Sequence, residues 1–504
     1  MKKLYYFFII ALVSGFVSAC SFEAPSTGIG HLAVTVPYSF SASATKGLST
    51  KDFTFPSGTN PYIRIYVLQN GTFVNSTSSA EYVEHSLPTT SGVSSTSYSV
   101  DLPASTGYKV YVVLGTKDSS GLWTPAYYGQ TDTFAISSGV YTTESVTASA
   151  VPYAYSYPSS SASSAVYDGS KLYIVQSGAI YTVASDGSTS KVTTSNSGTI
   201  NSLTLGSWFS GSSFASEPWV NTSNGIYALS SSGALVTRYA GISAARSGAV
   251  AGTINGSSGS LLVYYYGSDI GEAYSKDDTQ TAVTSAWTSG SLSSYLNSSA
   301  GSSLKTLISD PSSFVKSVAY VINNSTPANS YGVAATSLGT YLVNSTVLSA
   351  VGSDVLGWVK SQITGVSSYA FSAPGASTVQ FTALAFDSTS SPTNLYAGSD
   401  SGLYWASAPS LASAMNAPSL STLVSGISVK ALAAYTFNSS SYAAYVDGSG
   451  QLVILKNGAT SVSYPFYSYT ASSSGIKDLS FYLSGSSLYL AIASSDGVAI
   501  LKVE

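Results

Sequence analysis

Short apolar runs rich in Val, Ile, Tyr and Thr alternate with turns of Gly, Ser, Asn and Asp along nearly the whole chain. Strands run apolar or alternate with period two, whereas helices repeat at about 3.6 residues, so this pattern predicts an all-β protein. Tyr62-Ile63-Arg64-Ile65-Tyr66-Val67-Leu68 and Tyr108-Lys109-Val110-Tyr111-Val112-Val113-Leu114 are clear examples. Helical pattern is confined to two short stretches, near 302–308 and 411–416.

From about residue 165 the pattern repeats. Each unit is an apolar strand, a polar turn containing Gly, and a second apolar strand. The anchoring glycines are Gly178, Gly225, Gly267, Gly339, Gly402, Gly450 and Gly497, spaced by 47, 42, 72, 63, 48 and 47 residues. Several units carry a further apolar strand upstream, such as Val318-Ala319-Tyr320-Val321 and Leu479-Ser480-Phe481-Tyr482. Three to four strands every 40 to 50 residues or so is the period of a β-propeller blade, and seven units predict a seven-bladed propeller over 151–504. The two long steps leave room for an eighth, degenerate blade. The last unit lacks an outer strand, and residues near 145–155 are expected to supply it. Asp-Gly pairs at 168–169, 186–187, 447–448 and 496–497 read as hairpin turns.

Residues 31–150 hold about seven strands at sandwich-like spacing. The succession Tyr98-Ser99-Val100-Asp101-Leu102-Pro103, Gly107-Tyr108-Lys109-Val110 and Phe134-Ala135-Ile136 resembles small transthyretin-like or immunoglobulin-like modules. The resemblance implies an N-terminal β-sandwich. Pro152, Pro158 and the serines of 159–164 mark its boundary with the propeller. Within the propeller, Asn394-Leu395-Tyr396-Ala397-Gly398-Ser399-Asp400-Ser401-Gly402-Leu403-Tyr404-Trp405 resembles blades of BNR-type, sialidase-like propellers. The Asp-box of that family is absent, so the resemblance implies fold only. A transmembrane β-barrel would alternate apolar and polar over about ten positions per strand. These strands are shorter, the central ones are solidly apolar, and the chain ends Leu501-Lys502-Val503-Glu504 without an aromatic.

Composition narrows the function. Charged residues are 8% of 504, with 19 Lys+Arg against 23 Asp+Glu, a net charge of -4. Nucleic-acid binding needs a basic patch, so no nucleic-acid partner is expected. Aromatics reach 12%, with 39 Tyr, enough for a core.

The N-terminus reads as an address. Lys2 and Lys3 precede an apolar run from Leu4 to Val13, which is too short to span a bilayer and fits a signal peptide. Val17-Ser18-Ala19-Cys20 resembles the lipobox of bacterial lipoproteins, and Cys20 is the one cysteine in the chain. The resemblance implies cleavage before Cys20, diacylglycerol on its sulfur and acylation of the new amino group, hence stable membrane anchoring. The predicted organisation is a signal peptide over 1–19, a lipidated tether over 20–30, the sandwich over 31–150 and the propeller over 151–504. Phe22 at the second mature position points by analogy to the outer membrane, on its periplasmic face or the cell surface.

Most catalytic plans fail on inventory. The two histidines, His31 and His85, lie in the N-terminal domain and read as packing or surface residues. A sialidase-like clamp needs three arginines, and the chain holds only Arg64, Arg238 and Arg246, the first outside the propeller. Zinc-ligand spacings are missing. Beyond the N-terminal domain the glutamates are Glu217, Glu272 and Glu504, so paired carboxylates for glycoside hydrolysis would have to draw on Asp. Asp269, Glu272, Asp277 and Asp278 form the densest acidic patch, read as a solvated loop with a weak calcium site as the alternative. Neither catalytic residues nor a metal or cofactor are expected. Tyrosine-rich runs, such as Tyr264-Tyr265-Tyr266, Tyr127-Tyr128 and Tyr153-Ala154-Tyr155-Ser156-Tyr157, suit wet strands and also contact with glycan or protein. The expected function is a lipid-anchored, non-catalytic binding module for a glycan or an envelope protein. The alternatives are a polysaccharide-active hydrolase using Asp/Glu and a scaffold for envelope protein assembly.

Overall fold

The structure is a computed structural model that describes residues 28–37, 60–70, 72–74, 82–87, 95–117, 119, 121, 123–150, 153–158, 162–192, 198–209, 214–230, 233–240, 243, 245–254, 257–266, 271–275, 282–283, 315–321, 331–336, 339–344, 379–388, 391–411, 420–448, 450–464, 475–495 and 497–504. Cys20 and its lipobox, Asp269, Asp277, Asp278 and the 302–308 stretch lie outside them. Among the described residues the regular structure is all β, apart from a single 3-10 turn at Ala408–Leu411. That turn touches the stretch expected as a short helix near 411–416, of which 412–419 lie outside the described residues.

The chain divides into two compact units. The first comprises 1–54, 63–114 and 127–149, and the second 55–62, 115–126 and 150–504. The first holds a three-stranded sheet centred on Ile29–Pro37 and, within 63–114 and 127–149, most of the strands of a seven-stranded sheet. Ile29–Pro37 pairs antiparallel with Ser95–Pro103 and parallel with Tyr141–Ser145. Its Leu32, Val34 and Val36 are buried while the residues between are half-exposed, as period-two patterning dictates. Tyr108 is wholly buried, and its hydroxyl donates to the Pro103 carbonyl at 2.6 Å. Burial raises its pKa.

The second unit contains, among the described residues, seven antiparallel sheets of three or four strands in simple sequential order. Their first strands are Ala162–Tyr167, Ile200–Phe209, Arg246–Ile254, Val315–Val321, Phe381–Phe386, Val429–Phe437 and Ile476–Ser484. Each packs against the first strand of the next sheet, and the last packs against the first. Radial sheets joined in this way form a β-propeller, in which these are the inner strands.

Six of the seven repeat glycines fall where the second strand turns into the third, for example Gly178 between Leu172–Gln176 and Ala179–Val183; Gly267 lies outside the described residues. Of the Asp-Gly turns, Gly169, Gly187 and Gly497 have positive φ; after Asp447 the positive φ falls on Gly450. Apolar side chains from adjoining sheets fill the interfaces. Ala162, Leu172 and Ile174 of the first sheet meet Ala491, Ala493 and Ile500 of the last in one cluster. The last sheet takes its outer strand from the start of the unit, as expected, but from Tyr153–Pro158 rather than 145–155. Tyr155 pairs with Ile500 and Tyr157 with Val498.

Candidate functional site

The inner strands share a local device. Six of them begin with a register slip that leaves one residue unpaired: Ser163, Asn201, Lys316, Thr382, Lys430 and Lys477. A bulge of this kind bends the strand and re-aims neighbouring side chains. The residue after it stitches one sheet to another. Ser164 Oγ donates to the Leu203 carbonyl at 3.1 Å, and Ser202 Oγ donates to the Ala245 carbonyl at 2.5 Å. Leu384 N donates to Ser317 Oγ at 3.1 Å. Asp478 Oδ2 accepts from Ser164 Oγ at 2.7 Å and from Ala165 N at 3.2 Å. Like positions therefore bond to like positions, so neighbouring inner strands run the same way and start at about one level. Ser202 bonds the Ala245 carbonyl as Ser164 bonds that of Leu203, which makes Ser243 the equivalent position of the third sheet and places Arg246 three residues further along, beside the Thr204 Oγ1–Ser247 Oγ contact of 3.0 Å.

The inner strands enclose a cavity of about 610 Å³. That lies within the usual range for small-molecule sites of roughly 300–1,000 Å³. Four residues beyond the bulge position stand Tyr167, Tyr320, Phe386 and Phe481, and all four line the cavity. They form an aromatic tier, with Leu205 at the same position of the second sheet. Burial raises the pKa of Tyr167, with Asp168 adding to it, and burial alone raises that of Tyr320.

Charged groups stand at both ends of this channel. At the strand-start end, Arg246 of the third sheet reaches Asp478 of the last, Nη2 to Oδ1 3.0 Å, so the pair spans two intervening sheets. At the strand-end mouth stand Asp168 and Asp387. Asp168 accepts from Ser170 N, Ser170 Oγ and Lys171 N at 2.7–2.8 Å and closes its own turn. Asp387 is fully buried, and among the described residues no cation pairs with it. Its Oδ1 takes the amides of Thr393 and Asn394 at 2.8 and 3.1 Å. Its Oδ2 takes Thr393 Oγ1, Asn394 Nδ2 and Ser441 Oγ at 2.5, 3.0 and 2.8 Å. Five donors fill the four or so lone-pair sites of a carboxylate, so Asp387 is committed to structure. Its charge is also felt by Tyr331 and Tyr396, whose pKa values are raised by burial first and by Asp387 in addition.

The other residues singled out by type are occupied structurally. His31 Nδ1 lies 2.5 Å from Asp101 Oδ1 and the ring stacks on Tyr141; His85 stacks on Tyr98. Arg64 is buried, pairs with Glu84 at 2.9 Å and lies over the Tyr82 ring. Arg238 binds Glu217 through two nitrogens, at 2.7 and 2.8 Å, and Trp219 Nε1 donates to the same carboxylate. Glu504 takes Lys456 Nζ at 2.6 Å and the Tyr442 hydroxyl. Glu272 lies on Gly271–Ser275, and the remainder of its acidic patch is outside the described residues. Among the described residues no three His, Cys, Asp or Glu side chains converge as metal ligands. Tyr127 and Tyr128 are half-buried, and the Tyr157 hydroxyl donates to the Gly187 carbonyl at 2.6 Å.

Reading the repeat from its glycines hid the inner-strand device. Aligned on the strand starts, the sequence reads Ile476-Lys477-Asp478-Leu479, Val315-Lys316-Ser317-Val318, Val429-Lys430-Ala431-Leu432 and Ile200-Asn201-Ser202-Leu203. The signal is an apolar residue, a polar or basic one, a small or acidic one, then an apolar one.

No protein-family profile matches the sequence, and no curated protein matches it. Among solved structures, the chain is similar to PorZ of Porphyromonas gingivalis, described as a bacterial surface component of the type-IX secretion system, at 14% identity and a TM-score of 0.38, over 78% of this chain and 56% of that one. It is also similar to the extracellular domain of the hybrid two component system BT4673 from B. thetaiotaomicron, at 12% identity and a TM-score of 0.37, over 70% of this chain and 39% of that one. A third similarity is to the Cps50 (Swd1) β-propeller domain of Myceliophteria thermophila, at 11% identity and a TM-score of 0.41, over 69% of this chain and 99% of that one. The chain thus spans less than two thirds of the length of the first two.

Proposed function

We propose that this protein is a non-catalytic binding module of the cell envelope, which receives its ligand in the channel of a seven-bladed propeller. The observation that carries this reading is the cavity of about 610 Å³ walled by the inner strands, with an aromatic tier, an Arg246–Asp478 ion pair at one end and carboxylates at the other. Support for seven blades comes from the closed order of inner strands and from the strand Tyr153–Pro158 that completes the last sheet. Support for an N-terminal sandwich comes from its two sheets and from the Tyr108 hydroxyl bonded five residues back to Pro103, a corner familiar in immunoglobulin-like sandwiches. A hydrolase reading would need a free acid and base, and of the carboxylates at the strand-end mouth Asp387 is saturated by donors while Asp168 Oδ1 closes its own turn. Anchoring through lipid on Cys20 follows from the lipobox resemblance. It is tested by metabolic labelling with a fatty acid, which Cys20→Ser abolishes.

Screening the full chain against glycan arrays and envelope extracts tests the binding role. Ser391→Trp places a bulky ring at an exposed position on the channel lining. Saturable binding lost in that variant supports the reading; binding indifferent to it moves the site elsewhere.

A further inference from the structure

We propose that the strand-start mouth of the channel is an anion-binding rim that takes an acidic saccharide. This rests on the reading of the channel as a binding site.

The seven equivalent positions at the start of the inner strands are Ser163, Asn201, Ser243, Lys316, Thr382, Lys430 and Lys477. Three of the seven are basic. Lys and Arg fill only 19 of 504 positions in this chain, so seven positions at that frequency would hold fewer than one. Packing does not demand the concentration, since Lys430 and Lys477 are exposed and Lys316 is half-buried. The stitches between like positions put these residues at one level around the ring. Among the described residues, one carboxylate pairs with these lysines, Asp400 with Lys430 at 3.3 Å, while the neighbouring Asp478 is held by Arg246 at 3.0 Å. The Lys430–Asp400 pair is largely exposed and holds its partners weakly. The rim thus keeps a positive balance in a chain whose net charge is -4. A localised field of that sign concentrates anions at the mouth.

The aromatic tier selects the saccharide. Tyr167, Tyr320, Phe386 and Phe481 lie one turn of pleats beyond the rim and line the same cavity. Flat faces with polar edges suit the CH faces of sugar rings, while a carboxylate or sulfate on the ring would meet the lysines. Neutral sugars would use the tier and gain nothing from the rim.

The test uses the full-length protein in detergent with three oligosaccharide probes, oligogalacturonate, sulfated galactan and neutral galactan, and with a hexaglutamate peptide. Wild type is compared with the triple variant K316A/K430A/K477A, which leaves Arg246 and its ion pair in place. Binding is measured by calorimetry at low and high salt, and folding by melting temperature. The expected result is binding of at least one acidic probe that weakens in high salt. In the triple variant it falls by about tenfold or more with an unchanged melting temperature, since three lysine contacts, two exposed and one half-buried, each contribute modestly. Equal binding of neutral and acidic galactans, or unchanged binding in the triple variant, overturns the inference. So does lysine-dependent capture of the peptide without any saccharide, which would make the occupant an acidic protein segment. If a neutral ligand binds and is lost in Ser391→Trp, the acidic-saccharide inference falls while the binding role survives. If no ligand at all is sensitive to Ser391→Trp, both fall.

Discussion

Ser164 Oγ donates a 2.7 Å hydrogen bond to Asp478 Oδ2, joining two inner strands that are 314 positions apart in sequence. The bond closes the propeller ring between its first and last sheets, beside the strand exchange of Tyr153–Pro158. Asp478 also holds Ala165 N and Arg246. Asp478→Ala removes all three contacts and is expected to cost about 1–3 kcal/mol, chiefly because the Ala165 amide loses its acceptor and Arg246 its carboxylate. Asp478→Asn keeps an acceptor of the same shape and should cost less. Urea denaturation ranks the two; equal losses would show that the charge, and not the shape, is what the site needs.

Strand exchange makes a separate prediction. Ser156 pairs with Ala499 in the ladder between Tyr153–Pro158 and Gly497–Lys502. Proline lacks a backbone donor and does not fit a paired strand. Ser156→Pro is therefore expected to speed hydrogen exchange across 497–502 while leaving the first unit unchanged. Unaltered protection of 497–502 would mean that the exchanged strand does little to close the ring.

Packing of the second sheet is tightest at Gly206. Trp219 is wholly buried, and a Cβ built on Gly206 would lie 2.1 Å from its ring. Gly206→Ala should cost about 1–3 kcal/mol by overpacking and shift the tryptophan emission. Substitution without loss of stability would contradict the contact.

Alkaline pH should unfold the propeller through its tyrosines. Burial, followed by Asp168, pushes Tyr173 up to about 12, and burial followed by Asp447 does the same for Tyr445. An unfolded tyrosine titrates near about 10. Keeping these phenols neutral thus stabilises the fold fully below about pH 10, and the contribution is lost as pH rises towards 12. A fraction of the phenolate absorbance should appear late and together with unfolding. Tyr173→Phe with Tyr445→Phe should move the alkaline midpoint upward. A single early titration in the folded protein would refute the assignment.

The all-β class, the repeat and the missing outer strand were legible because solidly apolar runs and hairpin glycines are local signals. Gly178, Gly225, Gly402 and Gly450 each mark a turn between the middle strands. Outer strands such as Thr189–Lys191, exposed throughout, carry no apolar signature and escaped notice. The candidate site was less legible still. Its residues are single positions in seven strands, and what assembles them is a bulge in register, visible only when strands pair. Asp387 illustrates the limit: its five donors come from the next turn and the neighbouring sheet, so nothing in the sequence around it separates a committed acceptor from a free carboxylate.

The claim that the channel is the ligand site is tested most directly by footprinting. A ligand identified on the array would be bound to the full chain, and hydrogen exchange and radical labelling compared with and without it. Protection is predicted at 165–169, 318–320, 384–388, 432–436 and 478–481, stretches that meet only in the channel. Protection confined to the first unit, or to outer strands of the sheets, would contradict the account.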